Sequence, residues 1–136
     1  MGSSLMATSA IVPYLCASNA EAAVTFYRTV FGAVETDRYQ DTPGAPIGHV
    51  TLEIYGSSLF LSDEFPEIGV ISPTTLGGTP MAVHVTVPDV DSVTQLALKE
   101  GATLLREPAD QGNGHRNAKF RDPFGHVWMV SAPIGG

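Results

Sequence analysis

The chain repeats itself, and the repeat limits what it can fold into more than any other feature. Gly32 and Gly101 stand 69 residues apart, and so do Gly56 and Gly125. The same succession of elements surrounds both pairs. Ile11–Ala17 is a short apolar run suited to a strand. Ser18-Asn19-Ala20-Glu21 reads as a capping box with Ser18 at the N-cap and Glu21 three positions on. Ala23, Phe26, Tyr27, Val30 and Phe31 then follow at helical spacing, and Gly32 occupies the usual place of a C-terminal glycine. Val34–Tyr39, Ile47–Tyr55 and Ser57–Ser62 read as strands, parted by the turn Asp41-Thr42-Pro43-Gly44 and by Gly56.

The second half replays that order. Met81–Val87 reads as a strand, Pro88-Asp89 opens a helix bearing Val90, Val93, Leu96 and Ala97, and Gly101 ends it. Ala102–Glu107, Arg116–Arg121 and His126–Ala132 are strand-like, with Asp122-Pro123-Phe124-Gly125 as the last turn. Each half is therefore βαβββ. The first module covers about 11–64 and the second about 81–133. A Gly-, Pro-, Ser- and Thr-rich linker at 65–80 joins them within a single domain spanning 1–136.

Composition removes several classes of function. Among 136 residues, fourteen acids against seven Lys+Arg give a net charge of −7, the opposite of a nucleic-acid footprint. The acidity is uneven: eight acids face two bases up to Ile68, but six face five after it. What could receive an anionic ligand thus lies mostly in the second half. The one cysteine, Cys16, excludes an internal disulfide and a Cys-rich metal site, and it reads as a small buried hydrophobe rather than a nucleophile. No apolar run approaches the ~20 residues of a membrane span. The first nine residues lack the charged and apolar stretches of a signal peptide. A cytoplasmic protein with no membrane partner is expected.

Strand alternation places the polar residues that matter. In Met81–Val87 the valines 83, 85 and 87 share one face, and Ala82, His84 and Thr86 the other. In Ile47–Tyr55, Val50, Leu52 and Ile54 oppose His49, Thr51, Glu53 and Tyr55. The apolar faces can pack on the helices, which leaves two semi-polar faces with one histidine each. His126 follows the Pro-Phe-Gly turn and reads as a turn stabiliser, whereas His115 lies in a polar loop. Alternation alone leaves open which of Trp128 and Met129 points into the core. Asp63-Glu64 is a poor acid–base dyad, because neighbours on a strand point to opposite faces. There is neither a phosphate-binding loop nor a Gly-x-Ser-x-Gly elbow.

Pro13-Tyr-Leu-Cys16, Phe26-Tyr27, Phe31-Gly-Ala33, Gly48-His49, Leu59-Phe-Leu-Ser-Asp-Glu64, Ser72-Pro73, Leu76-Gly-Gly-Thr-Pro80, Asp89-Val-Asp91, Gly101-Ala102 and Asp122-Pro-Phe-Gly-His-Val-Trp128 appear in order along the chain. Together they resemble the vicinal oxygen chelate superfamily, and within it the small glyoxalase/bleomycin-resistance/dioxygenase-type proteins. The resemblance implies an α+β fold in which two βαβββ modules form curled mixed β-sheets around a shared cavity, with helices on the outer face, in a homodimer. Members include lyases, dioxygenases, epimerases, fosfomycin-modifying enzymes and metal-free proteins that sequester antibiotics.

In the metal enzymes of that superfamily, a His or Glu on the first and last strands of each module reaches the cavity. Those positions correspond here to Val12, Phe60, Ala82 and Met129, none of which offers a lone pair to a divalent ion. Shifting by one residue gives Pro13, Leu59 or Leu61, Met81 or Val83, and Trp128 or Val130, which is no better. No metal is expected at these positions, and glyoxalase I activity is disfavoured. A replacement site would need His49 and His84 with Glu53 or Glu64. His49 and Glu53 lie ~13 Å apart on one strand, too far to bind one ion directly.

The expected function is binding of a small, mostly apolar or aromatic molecule such as an antibiotic. Its lining would be His49, Thr51, Glu53, His84, Thr86, Tyr14, Phe60 and Met129. The alternative is a lyase, isomerase or dioxygenase-type enzyme of the same superfamily, metal-dependent or using a histidine base.

Overall fold

The computed structural model describes residues 10–135. The first nine residues, where no signal segment is expected, lie outside them. Two four-stranded mixed sheets carry the fold. The first contains β1 (Tyr14–Cys16), β2 (Val34–Gln40), β3 (Ile47–Ile54) and β4 (Ser57–Ser62) in the order β1-β4-β3-β2. The second contains β5 (Ala82–Thr86), β6 (Thr103–Asp110), β7 (His115–Arg121) and β8 (Val127–Pro133) in the order β5-β8-β7-β6. In each sheet the first strand pairs in parallel with the last, and the other pairings are antiparallel. Helix α1 (Ala20–Phe31) follows β1, and α3 (Val90–Lys99) follows β5. A short turn of helix, α2 (Pro73–Leu76), lies in the linker. The fold is the α+β pair of βαβββ modules that the repeat predicts.

Local chemistry explains the helix boundaries. Asp89 caps α3 through the Ser92 N–H, as expected. Gly32 closes α1 in the left-handed region at φ 69°, where a side chain would be strained. The capping box at Ser18 and Glu21 does not form. The N-cap is Asn19, whose Oδ1 accepts from the Ala22 N–H at 3.0 Å. The Ala20 N–H is taken by the Asp63 carboxylate at 2.7 Å, and Glu21 turns instead to Arg38 at 2.6 Å. A distant carboxylate and a distant arginine outcompete the local pattern. Asp63 also accepts from the Ile47 N–H at 2.7 Å, so it pins the start of β3 to the start of α1.

Packing follows the alternation. Val50, Leu52 and Ile54 are buried, Val83 and Val85 rest against the same core, and Val87 is buried. Trp128 is buried and Met129 is only half-covered, which resolves the question that alternation left open. The helices do more than cover their own sheets. Tyr27 and Phe31 of α1 lie against Trp128 of the second sheet, with centroids 5.3 and 4.8 Å away, and Phe31 stacks near Phe120 at 6.4 Å. One continuous core therefore joins the modules.

At its centre is Asp122, 3% exposed. Its carboxylate accepts from the Tyr27 hydroxyl, from Trp128 Nε1 at 2.9 Å, and from the Phe124 and His126 N–H groups at 2.9 and 3.0 Å. His126 Nε2 in turn bonds the Cys16 carbonyl at 2.8 Å, so this histidine is structural, as its place after the turn suggests. Removing the carboxylate leaves buried donors with no acceptor, a loss of about 3–5 kcal/mol. Asp122→Ala is expected to lower Tm by roughly 10 °C or more in a circular dichroism melt.

Burial, and then the Asp122 charge, hold the Tyr27 phenol well above its ordinary range. The folded state thus binds this proton more tightly than the unfolded state. The associated stability is complete below the ordinary tyrosine pKa of ~10 and is lost as pH rises towards the folded value. Tyr27→Phe is therefore expected to flatten the decline of Tm above pH ~10 relative to wild type, in melts taken across the alkaline range.

Candidate functional site

With one face of each sheet committed to the core, the other face is open, and the pairing registers set its side chains out in rows. On the first sheet Tyr14, Phe60, Thr51 and Asp37 lie abreast across β1, β4, β3 and β2. The equivalent row of the second sheet is His84, Met129, Lys119 and Arg106 across β5, β8, β7 and β6. Phe60 and Met129, two of the four positions at which the resemblance implied ligands, thus hold matching central places. Beside them stand Tyr14 and His84. Val12 precedes β1, and Ala82 lies two residues before His84 on β5, opposite Val127.

The two histidines have unequal surroundings. His49 Nδ1 shares a 2.8 Å hydrogen bond with the Tyr14 hydroxyl, and its Nε2 shares one of 2.8 Å with Thr51 Oγ1. The rings of Tyr14, His49 and Phe60 meet edge-on, with centroids 4.8 to 5.5 Å apart. Partial burial raises the Tyr14 pKa. Both nitrogens of His49 are therefore occupied, in a Tyr14–His49–Thr51 chain. His84 is exposed, and Ser131 Oγ is its hydrogen-bond partner, 2.7 Å from Nε2. Its Nδ1 has no partner among the described residues. The two histidines share no hydrogen-bond partner, and Glu53, exposed on β3 two residues beyond Thr51, bonds to neither network.

These groups do not fit a divalent metal. Among the described residues, no group of three or more His, Cys, Asp or Glu could hold one. Phe60 and Met129 offer a ring and a thioether, both poor partners for a borderline cation. Glu64, considered above for a replacement site, accepts instead from Ser72 and Thr75 at 2.6 Å each. Those bonds, with the Ser72 N–H, hold its pKa below the usual carboxylate range.

A cleft of about 370 Å³ runs along the free edge of β5 and includes His84, Thr86, Ile11, Pro13, Tyr55 and Ser57. It joins the two modules, and sequence reasoning missed Tyr55 and Ser57 as part of it. Tyr55 carried a signal. It holds φ 48° in the two-residue hairpin Tyr55-Gly56, a conformation that costs a bulky residue roughly 1–2 kcal/mol and usually falls to Asn or Gly. A second hollow, about 340 Å³ and mainly apolar, lies beside Tyr14 and Cys16 under Phe65, Ile68 and Val70.

Comparison with known proteins agrees with this geometry. Residues 9–130 match the Glyoxalase/Bleomycin resistance protein/Dioxygenase superfamily. The chain belongs to that superfamily. It is 40% identical over 128 residues to the uncharacterized protein Rv0887c of Mycobacterium tuberculosis, covering 92% of this chain and 75% of that one. TioX from Micromonospora sp. ML1 superposes with a TM-score of 0.70 at 25% identity, covering 94% of this chain and 98% of TioX. A glyoxalase-related enzyme from Fulvimarina pelagi shares the fold, with a TM-score of 0.70 at 22% identity, covering 94% and 93%. Among the described residues, no helix is long and apolar enough to cross a membrane.

The Cys16 thiol points at the Asp63 carbonyl, 3.6 Å away, and feels the charges of Glu64 and Asp63. Burial first, then those charges, push its thiol from 9.0 up to about 11. Two pH units mean roughly 100-fold less thiolate near neutrality. Alkylation of Cys16 by iodoacetamide at pH 8 is expected to run about 100-fold slower in the native protein than in urea, followed by mass spectrometry.

Proposed function

We propose that this superfamily member is a small-molecule-binding protein that holds a compact, largely apolar or aromatic ligand, such as an antibiotic, on the open faces of its sheets. One observation carries the reading: where the superfamily's metal enzymes place ligands, Phe60 and Met129 present apolar surface, each beside one polar group, Tyr14 or His84. Apolar walls with a few directed polar groups are the usual make-up of a ligand site. His84 supplies the hydrogen bond through its free Nδ1, with Thr86 beside it. Tyr14, His49 and Thr51 supply a second polar cluster, and Glu53 lies at its margin. No metal takes part at Val12, Phe60, Ala82 or Met129. The short edge strands β1 and β5 favour a homodimer, because pairing with a second chain removes exposed edges.

An enzymatic reading rests on the Tyr14–His49–Thr51 chain, which has the form of a proton relay and would serve a histidine-based lyase or isomerase. Two measurements on purified protein separate the readings. Elemental analysis without chelator is expected to show no stoichiometric Zn, Ni, Mn or Fe. One metal per chain, removed by chelator with loss of activity, would make the protein a metalloenzyme instead. For a ligand found by thermal-shift screening, His84→Ala is expected to weaken binding by roughly 5- to 150-fold, the loss of one buried hydrogen bond. Tm should stay nearly constant, since an exposed histidine supports little packing. A fall in Tm with unchanged affinity would make His84 a structural residue.

A further inference from the structure

The open face of the second sheet is cationic in a protein with twice as many acids as bases. Three of its arginines are neutralised: Arg28 by Glu35, Arg38 by Glu21 and Glu35, and Arg116 by Asp91 and Asp110. Lys99 sits in the last turn of α3, where a cation meets the helix dipole. Arg106, Lys119 and Arg121 have no carboxylate partner among the described residues, and they stand together. Lys119 lies directly opposite Arg106, and Arg121 follows two residues along β7 on the same face. Lys119 is half-buried and makes no hydrogen bond among the described residues, whereas Arg106 is oriented onto the face by Asn117 at 2.8 Å.

Like charges directly opposite each other on neighbouring strands destabilise a sheet. This pair persists although the chain has carboxylates to spare. The equivalent row of the first sheet ends in Thr51 and Asp37, so the cations belong to the second face and not to the repeated architecture.

We propose that Lys119 and Arg106 form the anion-recognition end of the ligand site and that the ligand is an organic acid with an apolar or aromatic body. The inference rests on the reading of the open face as a ligand site. Strands lie ~4.8 Å apart, so Lys119 is ~10 Å from His84, with Met129 between them. An acid whose carboxylate meets Lys119 and Arg106 lays its body on Met129 and directs its far end to His84. A bicyclic aromatic acid has that length. Asn117 beside Arg106 provides a further amide donor.

The test compares 6-hydroxy-2-naphthoate, whose hydroxyl can meet His84, with its neutral isostere 6-hydroxy-2-naphthamide by isothermal titration calorimetry at low ionic strength, where exposed charges are least screened. The naphthoate is expected to bind roughly tenfold more tightly, since charge-assisted hydrogen bonds are about twice as strong as neutral ones. In Lys119→Met the naphthoate is expected to lose more affinity than the amide, so that the gap closes to about twofold with light-scattering mass unchanged, and Arg106→Gln should narrow it as well. Equal affinity for both probes in wild type overturns the proposal, as does a gap that survives both substitutions. A changed mass in either variant also overturns it, because the cations would then serve a second copy's acids, such as Asp37 and Glu53. If both probes bind equally and His84→Ala weakens both, the site stands and only its charge assignment falls. If neither probe binds, or neither responds to His84→Ala, the site reading fails and takes this inference with it.

Discussion

Four donors from separate parts of the chain converge on the Asp122 carboxylate: the Tyr27 hydroxyl of α1, the Trp128 indole of β8, and two N–H groups of the turn between β7 and β8. A buried carboxylate is tolerable only when its lone pairs are filled, and here they are. The consequence reaches beyond the turn. Because α1 is tied to the second sheet, its aromatic residues complete the core of both modules. The apolar face of each sheet is thereby committed to helices. The other faces, with His49 on one and His84 on the other, are left for whatever the protein meets. The linker contributes to the same junction. A Cβ on Gly125, at φ 91°, would lie 2.8 Å from Pro73 Cβ, so the glycine lets α2 close over the turn.

Much of this was legible because it is periodic. Residues two apart on a strand share a face whatever the tertiary context, so Val50, Leu52 and Ile54 were assignable to the core, and His49 and His84 to the open side. Glycines at repeated spacing marked the helix ends for the same reason: a left-handed residue is needed there. What stayed hidden depends on partners far away in sequence. Ser18 lost the cap because Asp63, more than forty residues on, takes the first N–H of the helix. Asp122 read as a turn residue, and nothing local shows that Tyr27 lies over it. The alternation of Trp128 and Met129 was clear, but its phase was not, since both are large and apolar. The inequality of the two histidines was equally out of reach, because Tyr14 and Ser131 approach them from other strands.

The repeat also explains how the site became asymmetric. Residues on the core side must fill a shared volume, so an exchange there is felt as a cavity or an overlap. Residues on the open side meet no such demand. The two modules therefore keep matching apolar faces while their open rows diverge, to Tyr14-Phe60-Thr51-Asp37 on one sheet and His84-Met129-Lys119-Arg106 on the other. Phe60 and Met129 occupy corresponding central places and differ mainly in what flanks them.

That flanking chemistry differs between the sheets. On the first, His49 is held between a phenol and a hydroxyl, so both ring nitrogens are used and the ring is fixed in place. On the second, Ser131 takes Nε2 and thereby fixes which way His84 turns, while Nδ1 remains free. A hydrogen bond that orients a ring without consuming its second nitrogen is what a recognition residue needs, because a preset direction lowers the ordering cost of binding. The neighbours of His84 along its row then pass from thioether to ammonium to guanidinium. Polarity thus increases in one direction across a single face, and the acid proposed above matches it by carrying its charge at the end remote from the histidine.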